Sequence, residues 1–361
     1  MKLNTIQTLT IVQLTLLQGL GIFTVSNQAL AYSTESSAST CQAEWEVVSA
    51  FDPLLLKRFA QRYIPNLLGA VGRNQEQYIS VEFQRHAAQR IIYGLLTENP
   101  QLIEESMRSF EYAFSYQNQD GSFQLNYPNA KSLPKTSVIA SATSGFLSDF
   151  GHSLLLLQQS SWFLQSLETQ SLRTRLEKML PAASLSLSWL TQHHPELINY
   201  HAQTTNLLFM NANTFYLMGK AFNNSEAMKI GEVFTNLALQ QQDDAGFFME
   251  KGGPDSSYQG VSLYLALLLY TNLLPGADNL KQNLWQAIGK GINWEYTKIL
   301  PSGEVSTEGN TRIYPGGEVY FSQEKGIAYN QLILALLYYS EISNDSIAQD
   351  KVNQIRKFKG I

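Results

Sequence analysis

Three segments of this chain repeat one form, and that repetition constrains the fold more than any other feature. They are Gln117-Asn118-Gln119-Asp120-Gly121-Ser122-Phe123, Gln242-Asp243-Asp244-Ala245-Gly246-Phe247-Phe248 and Pro301-Ser302-Gly303-Glu304-Val305. Each sets a glycine-marked turn after a helical stretch, followed by an aromatic or extended segment, a Gly/Pro/Ser-rich loop and a new apolar helix. The last two turns lie 57 residues apart (Gly246 to Gly303), one helix pair plus its loops, and the first interval of 125 (Gly121 to Gly246) is close to two such units. Between the turns apolar residues recur at helical spacing, as in Leu55, Leu56, Phe59, Tyr63 and Leu67. No segment sustains the alternation of a strand, so a β-sheet domain is not expected. Helix hairpins repeated in this way bury their apolar faces on their neighbours. The expectation is an all-α fold of about ten helices, an α/α toroid that is closed or incomplete. It forms a single domain over 51–361, with the loops at 118–145, 243–259 and 301–326 gathered on one rim. Helices are expected near 78–96, 100–117, 146–167, 170–192, 203–222, 225–241, 260–273, 278–298 and 327–342.

Hydrophobic residues make up 44% of the 361 positions, enough for a sizeable core, whereas charged residues make up only 15%. The net charge of −5, with no basic run, argues against nucleic acid and anionic membrane surfaces as partners. Cys41 is the single cysteine, which excludes an intrachain disulfide and a cysteine-based zinc site. At the N-terminus Lys2, an apolar stretch from Ile6 to Val25 and Ala29-Leu30-Ala31 fit a signal peptide over 1–31. Gln7, Gln13 and Gln18 dilute the stretch below a spanning helix. A Ser/Thr-rich tether over 32–50 follows. The mature chain is thus expected to begin near Tyr32, to lie in the periplasm or outside the cell, and to carry no stable membrane span.

Four constellations carry candidate chemistry. The richest runs from Glu250 through Gly252-Gly253, Asp255 and Ser257-Tyr258 into an apolar helix. Asp255 and Ser257 are natural caps, so Tyr258 either packs on the rim or serves as a phenol whose pKa the helix dipole lowers. Asn206, Asn213 and Lys220 are spaced by seven along one helix. They form either a solvated stripe or an inner wall that binds sugar hydroxyls and carboxylates. Asp149 and His152, three apart, form either an oriented imidazole base or an ordinary helix pair. The segment from Glu304 to Glu324 holds Glu308, Arg312 and Glu318. It reads as a solvated acidic loop, as the paired carboxylates of a glycoside hydrolase, or as oxygen ligands of the kind Ca²⁺ takes. No resident cofactor and no histidine-based metal site are expected.

The loop-to-helix pattern of Glu250, Gly252-Gly253, Asp255 and Ser257-Tyr258 resembles that of α/α-toroid polysaccharide lyases, the relatives of alginate, heparin and hyaluronate lyases. The resemblance implies cleavage of a uronic-acid-containing glycan by β-elimination. In those families a Tyr acts as acid or base, often with a His, and an Asn, Gln or Arg neutralises the uronate carboxylate. Here it implies catalysis by Tyr258, His152 and Asp149. Asn206, Asn213, Arg312, Asp255, Glu250 and Glu308 would bind the oligosaccharide. The adjacent Asn-His pair of some of those families is missing. Two alternatives stay open: a glycoside hydrolase acting on a neutral glycan, and a non-catalytic helical repeat that binds a glycan or a protein.

Overall fold

The computed structural model describes residues 44–76, 78–128 and 133–361. The leader, the Ala29-Leu30-Ala31 site, Cys41 and most of the expected tether lie outside them. The described chain is mostly helical: α1 (Glu44–Ser49), α2 (Pro53–Ala60), α3 (Ala88–Leu96), α4 (Pro100–Ser115), α5 (Thr136–Gln159), α6 (Ser161–Gln165), α7 (Gln170–Gln192), α8 (His194–His201), α9 (Thr205–Ala221), α10 (Ser225–Leu239), α11 (Ser256–Asn272), α12 (Asp278–Lys298), α13 (Tyr329–Ser343) and α14 (Ser346–Lys359). One short hairpin pairs β1 (Val319–Tyr320) with β2 (Gln323–Glu324). Among the described residues no helix is long and apolar enough to cross a membrane.

Local signals act as the residues dictate. Asp52 caps α2 ahead of Pro53, its carboxylate accepting from the Leu54 N–H. Three expectations need correction. The end of the expected tether, Glu44–Ser49, is helix α1, with Glu44, Val47 and Val48 buried. Helix α5 starts at Thr136, not near 146, so the loop before it is shorter than 118–145. Its small polar opening resembles a loop in composition, but Thr143 and Ser144 are buried, and Ser144 bonds to Asn211 and Thr214 of α9. Helix α3 starts only at Ala88, because 78–87 is taken up by a 3-10 turn (Val81–Gln84) and by His86, whose φ of 99° interrupts a helix.

The helices form two layers. In the inner layer α3 packs on α5, α5 on α9, α9 on α11 and α11 on α13. From α5 to α13 these run parallel. Ser144 lies against Thr214 and Gly151 against Met218, Asn213 donates to the Leu265 carbonyl, and Gly260 lies against Leu332. In the outer layer α4, α10, α12 and α14 each back onto the inner helix before them, with α7 against α4 and α5. Helix α2 meets the end of α14, since Arg356 pairs with Asp52 at 2.8 Å and Arg58 donates to the Gly360 carbonyl.

The glycine turns hold the repeat together. In each, an isolated bridge closes the turn: Gln117 with Phe123, Gln242 with Phe248, Ile299 with Val305. Gly121, Gly246 and Gly303 all have positive φ, and each presses on the backbone of the next outer helix. At Gly303, φ is +86° and an added Cβ would lie 2.0 Å from the Gln354 carbonyl oxygen. Gly303→Ala therefore meets both backbone strain and a backbone clash. The expected loss is about 1–3 kcal/mol, seen as a lower urea midpoint with unchanged m. An unchanged midpoint would show that α12 and α14 shift freely.

Glu295 of α12 is fully buried, and neither of its carboxylate oxygens has a hydrogen-bond partner among the described residues. Burial holds its pKa well above the ordinary value, with the nearby Asp255 charge adding to the effect. A carboxyl raised in this way supports the fold while protonated, below the ordinary carboxylate pKa, and that support is lost as pH rises toward its folded value. Glu295→Gln is expected to flatten this fall, so that the variant's melting temperature overtakes that of the wild type as pH rises. Parallel melting curves from acid to alkaline pH would count against it.

Candidate functional site

The parallel inner helices bring their N-terminal ends to one mouth. Asn206 opens α9, Tyr258 opens α11, and the loop 301–328 leads into α13 beside them. Asp255 sits at the base and builds the local frame. One of its carboxylate oxygens caps α11 through the Ser257 and Tyr258 N–H groups, and the other accepts from Arg312 N (3.0 Å) and Ile313 N (2.8 Å). Ser257 accepts from the Ala328 N–H, and Gln259 accepts from the Phe248 N–H. Much of the Asp255–Gln259 segment thus serves to fasten the neighbouring loops, 301–328 among them, to α11.

Upon this frame stands a charged cluster. Arg312 donates to Glu250 (2.7 Å) and, through Nε and Nη2, to Glu318 (2.7 and 3.2 Å). Its guanidinium carbon lies 3.7 Å from the centre of the Tyr258 ring. The Tyr258 hydroxyl donates to Glu318 at 3.2 Å and accepts from Lys325 Nζ at 2.9 Å, while Lys325 also pairs with Glu318 at 2.7 Å. Tyr258 is half-buried. Lys325 also lines a groove of about 550 Å³, whose wall includes Glu304, Glu308, Glu324 and Tyr329.

Charges here follow burial and pairing. Burial pushes the fully enclosed Glu250 up to about 7 despite Arg312. Burial also works to raise Glu318, but hydrogen bonds from Arg312 and Lys325 overcome it and hold the group at about 2. Burial, helped by Glu318 and Glu250, carries the Tyr258 phenol well above its ordinary value although Arg312 opposes this. The expectation of a lowered phenol pKa is therefore corrected. Desolvation and neighbouring carboxylates outweigh the helix dipole.

A wall of aromatic rings continues the mouth. Phe321 packs edge-on to Tyr78 and Tyr127, with centroids 5.2 and 5.8 Å away, and Arg73 lies 4.5 Å above its ring. The hydroxyls of Tyr127 and Tyr320 both donate to Glu82.

Of the expected site residues, Tyr258, Arg312, Glu250, Asp255 and Asn206 converge. Asn206 gives its backbone N–H to Glu250 (2.8 Å), while its side-chain oxygen is buried without a partner among the described residues. Asn213 does not line the mouth. It is fully buried, and its amide bridges the Phe209 and Leu265 carbonyls, tying α9 to α11. Glu308 is exposed on the outer wall of the groove, away from Tyr258's hydrogen bonds.

His152 and Asp149 part company. Asp149 accepts from the backbone N–H groups of Ala87 and Ala88 and makes no hydrogen bond to an imidazole among the described residues. His152 is buried near the other end of the inner layer, hydrogen-bonded to Glu44 of α1. Tyr338 (2.8 Å) and Asn272 (2.7 Å) donate to the same carboxylate. Burial works to lower the His152 pKa, but the Glu44 charge outweighs it and leaves it raised; the same pairing leaves Glu44 lowered. The two form a buried ion pair that locks α1 in place, remote from Tyr258. The partner was missed because it lies 108 positions away.

His201, read from the sequence as a weaker candidate that opens the helix carrying Asn206, instead ends α8. It is bracketed by Ser141 (3.0 Å) and Asn211 (2.9 Å), and burial lowers its pKa to about 4. Among the described residues no group of three or more His, Cys, Asp or Glu side chains is placed to hold a metal ion. Comparison of the chain with protein-family models, curated proteins and solved structures finds no match.

Proposed function

We propose that the chain is an exported polysaccharide lyase. In this reading the two helix layers close into an α/α toroid, and a uronic-acid-containing glycan is cleaved by β-elimination at the mouth. One observation carries the proposal: the half-buried Tyr258 hydroxyl lies within hydrogen-bond distance of both Lys325 and Glu318 at the N-terminal end of the inner helices, with Arg312 on its ring. Rings beside it offer stacking surface for sugars. In a syn elimination one phenol serves both proton transfers. As phenolate it takes the C5 proton of the uronate, the C4–O bond breaks as the C4=C5 double bond forms, and the phenol then protonates the departing oxygen. Lys325 and Arg312 favour the phenolate, while burial and Glu318 hold the resting group as phenol. Turnover is accordingly expected to rise with pH through neutrality into the alkaline range.

The hydrolase alternative draws less support. Glu250 and Glu318 differ in pKa as an acid and base pair would, but Glu250 is fully enclosed and bonded to Arg312 and Asn206, out of reach of a sugar. Alginate, hyaluronan and galacturonan are the substrates to offer, with the ultraviolet absorbance of the unsaturated product as the readout. Release of reducing ends from neutral glycans without that absorbance would replace the lyase reading by hydrolysis. Binding without either would leave a glycan-binding repeat.

A further inference from the structure

Arg312, the cation expected to hold the uronate carboxylate, is already held by two carboxylates. Another cation at the mouth is not. Arg85 follows the 3-10 turn, is half-buried, and has no carboxylate within ion-pair distance among the described residues. Its side chain lies along buried Gly145 of α5. A Cβ there would sit 3.4 Å from Arg85 Nη1, 3.8 Å from its Cδ and 3.4 Å from the Met210 sulfur of α9. The glycine thus leaves room for the guanidinium across the inner layer. The Tyr320 hydroxyl donates at 2.8 Å to Glu82 of the turn that Arg85 closes, and the Tyr320 ring lies 4.9 Å from Lys325, the partner of Tyr258. Arg85 and Tyr258 therefore flank one surface.

The backbone that aims Arg85 is strained. His86 has a φ of 99°, a region costly for any residue with a side chain, and its ring stacks on Tyr63 at 4.2 Å. Asp149 holds the strained turn through the backbone N–H groups of Ala87 and Ala88. Strain maintained by a buried clamp is typical of binding sites, and a partly desolvated guanidinium without a counter-charge draws an anion strongly.

We propose that Arg85, set in the Gly145 cradle by the Asp149 clamp, grips the carboxylate of a uronic acid and makes this mouth select acidic over neutral glycans. The inference rests on the glycan-binding part of the reading above and not on elimination itself.

The test is calorimetric titration of the full protein with tetragalacturonate, an alginate tetramer, a hyaluronan tetramer and cellotetraose. Wild type should bind at least one acidic tetramer and prefer it to cellotetraose. Arg85→Gln should weaken acidic binding roughly ten- to a hundredfold, the worth of a charge-assisted hydrogen bond, and leave cellotetraose unchanged. Arg85→Lys should recover part of the loss, which also controls for folding. Equal acidic affinity in Arg85→Gln and wild type would overturn the assignment, as would wild-type failure to bind any acidic tetramer. If acidic binding depends on Arg85 but no unsaturated product forms, the assignment stands and the elimination reading falls. If product forms as fast in Arg85→Gln as in wild type, the reverse holds.

Discussion

Tyr258→Phe is expected to lower turnover on the cleaved glycan by about 10²–10⁴-fold, the usual worth of one positioned proton-transfer group. It removes a single oxygen from a half-buried ring. Glu318 and Lys325 keep each other at 2.7 Å, and Arg312 keeps its two carboxylates. Stability should therefore fall by about 1 kcal/mol or less. The substrate affinity of the variant should stay near that of wild type, because the phenol acts in the transition state and the aromatic wall remains. Full activity in Tyr258→Phe would remove the hydroxyl from the reaction. A large loss of melting temperature with activity retained below it would make Tyr258 a structural anchor for the 301–328 loop.

The largest expected effect on stability lies at the opposite end of the inner layer. Glu44→Ala leaves His152 without its counter-charge and takes the acceptor from Tyr338 and Asn272, all in a region closed to water. Breaking one side of a buried pair costs about 3–5 kcal/mol, far more than the pair contributes over a well-packed apolar substitute. The His152→Ala and Glu44→Ala changes should be strongly non-additive, since each removes the same interaction. Urea unfolding of the two single variants and the double variant measures this. Additive losses, or a Glu44→Ala loss below about 1 kcal/mol, would show that α1 is held by Val47 and Val48 alone.

Much of the architecture was legible because it is written in local signals. The interval between Gly246 and Gly303 reflects an actual pair of turns that press on the next outer helix, and α7 and α12 run where helical spacing places them. The site was legible only in part. Asp255, Ser257 and Tyr258 are contiguous, so their loop could be singled out, but whether each caps or reacts depends on residues far along the chain. Glu250 finds Arg312 at 62 positions, and Tyr258 finds Lys325 at 67. Asp149 lies three residues from His152 yet serves a turn 61 and 62 positions earlier. Spacing along a helix shows which residues share a face, not what stands opposite it. Arg85 carried no motif at all. The signal in hindsight is Gly145, a glycine inside a long helix, which costs helix stability and so implies a close neighbour.

The Glu44 pair bears on the order in which the molecule can assemble. Its partners Asn272 and Tyr338 stand 228 and 294 positions downstream. Contacts of such separation form late, because the intervening chain must already be arranged before they lower the free energy. During synthesis α1, the first helix among the described residues, is thus among the last to dock, and until Tyr338 has left the ribosome the Glu44 carboxylate has an incomplete set of donors. A chain built in this way stays incompletely locked until α13 has been made, however early its other helices pair.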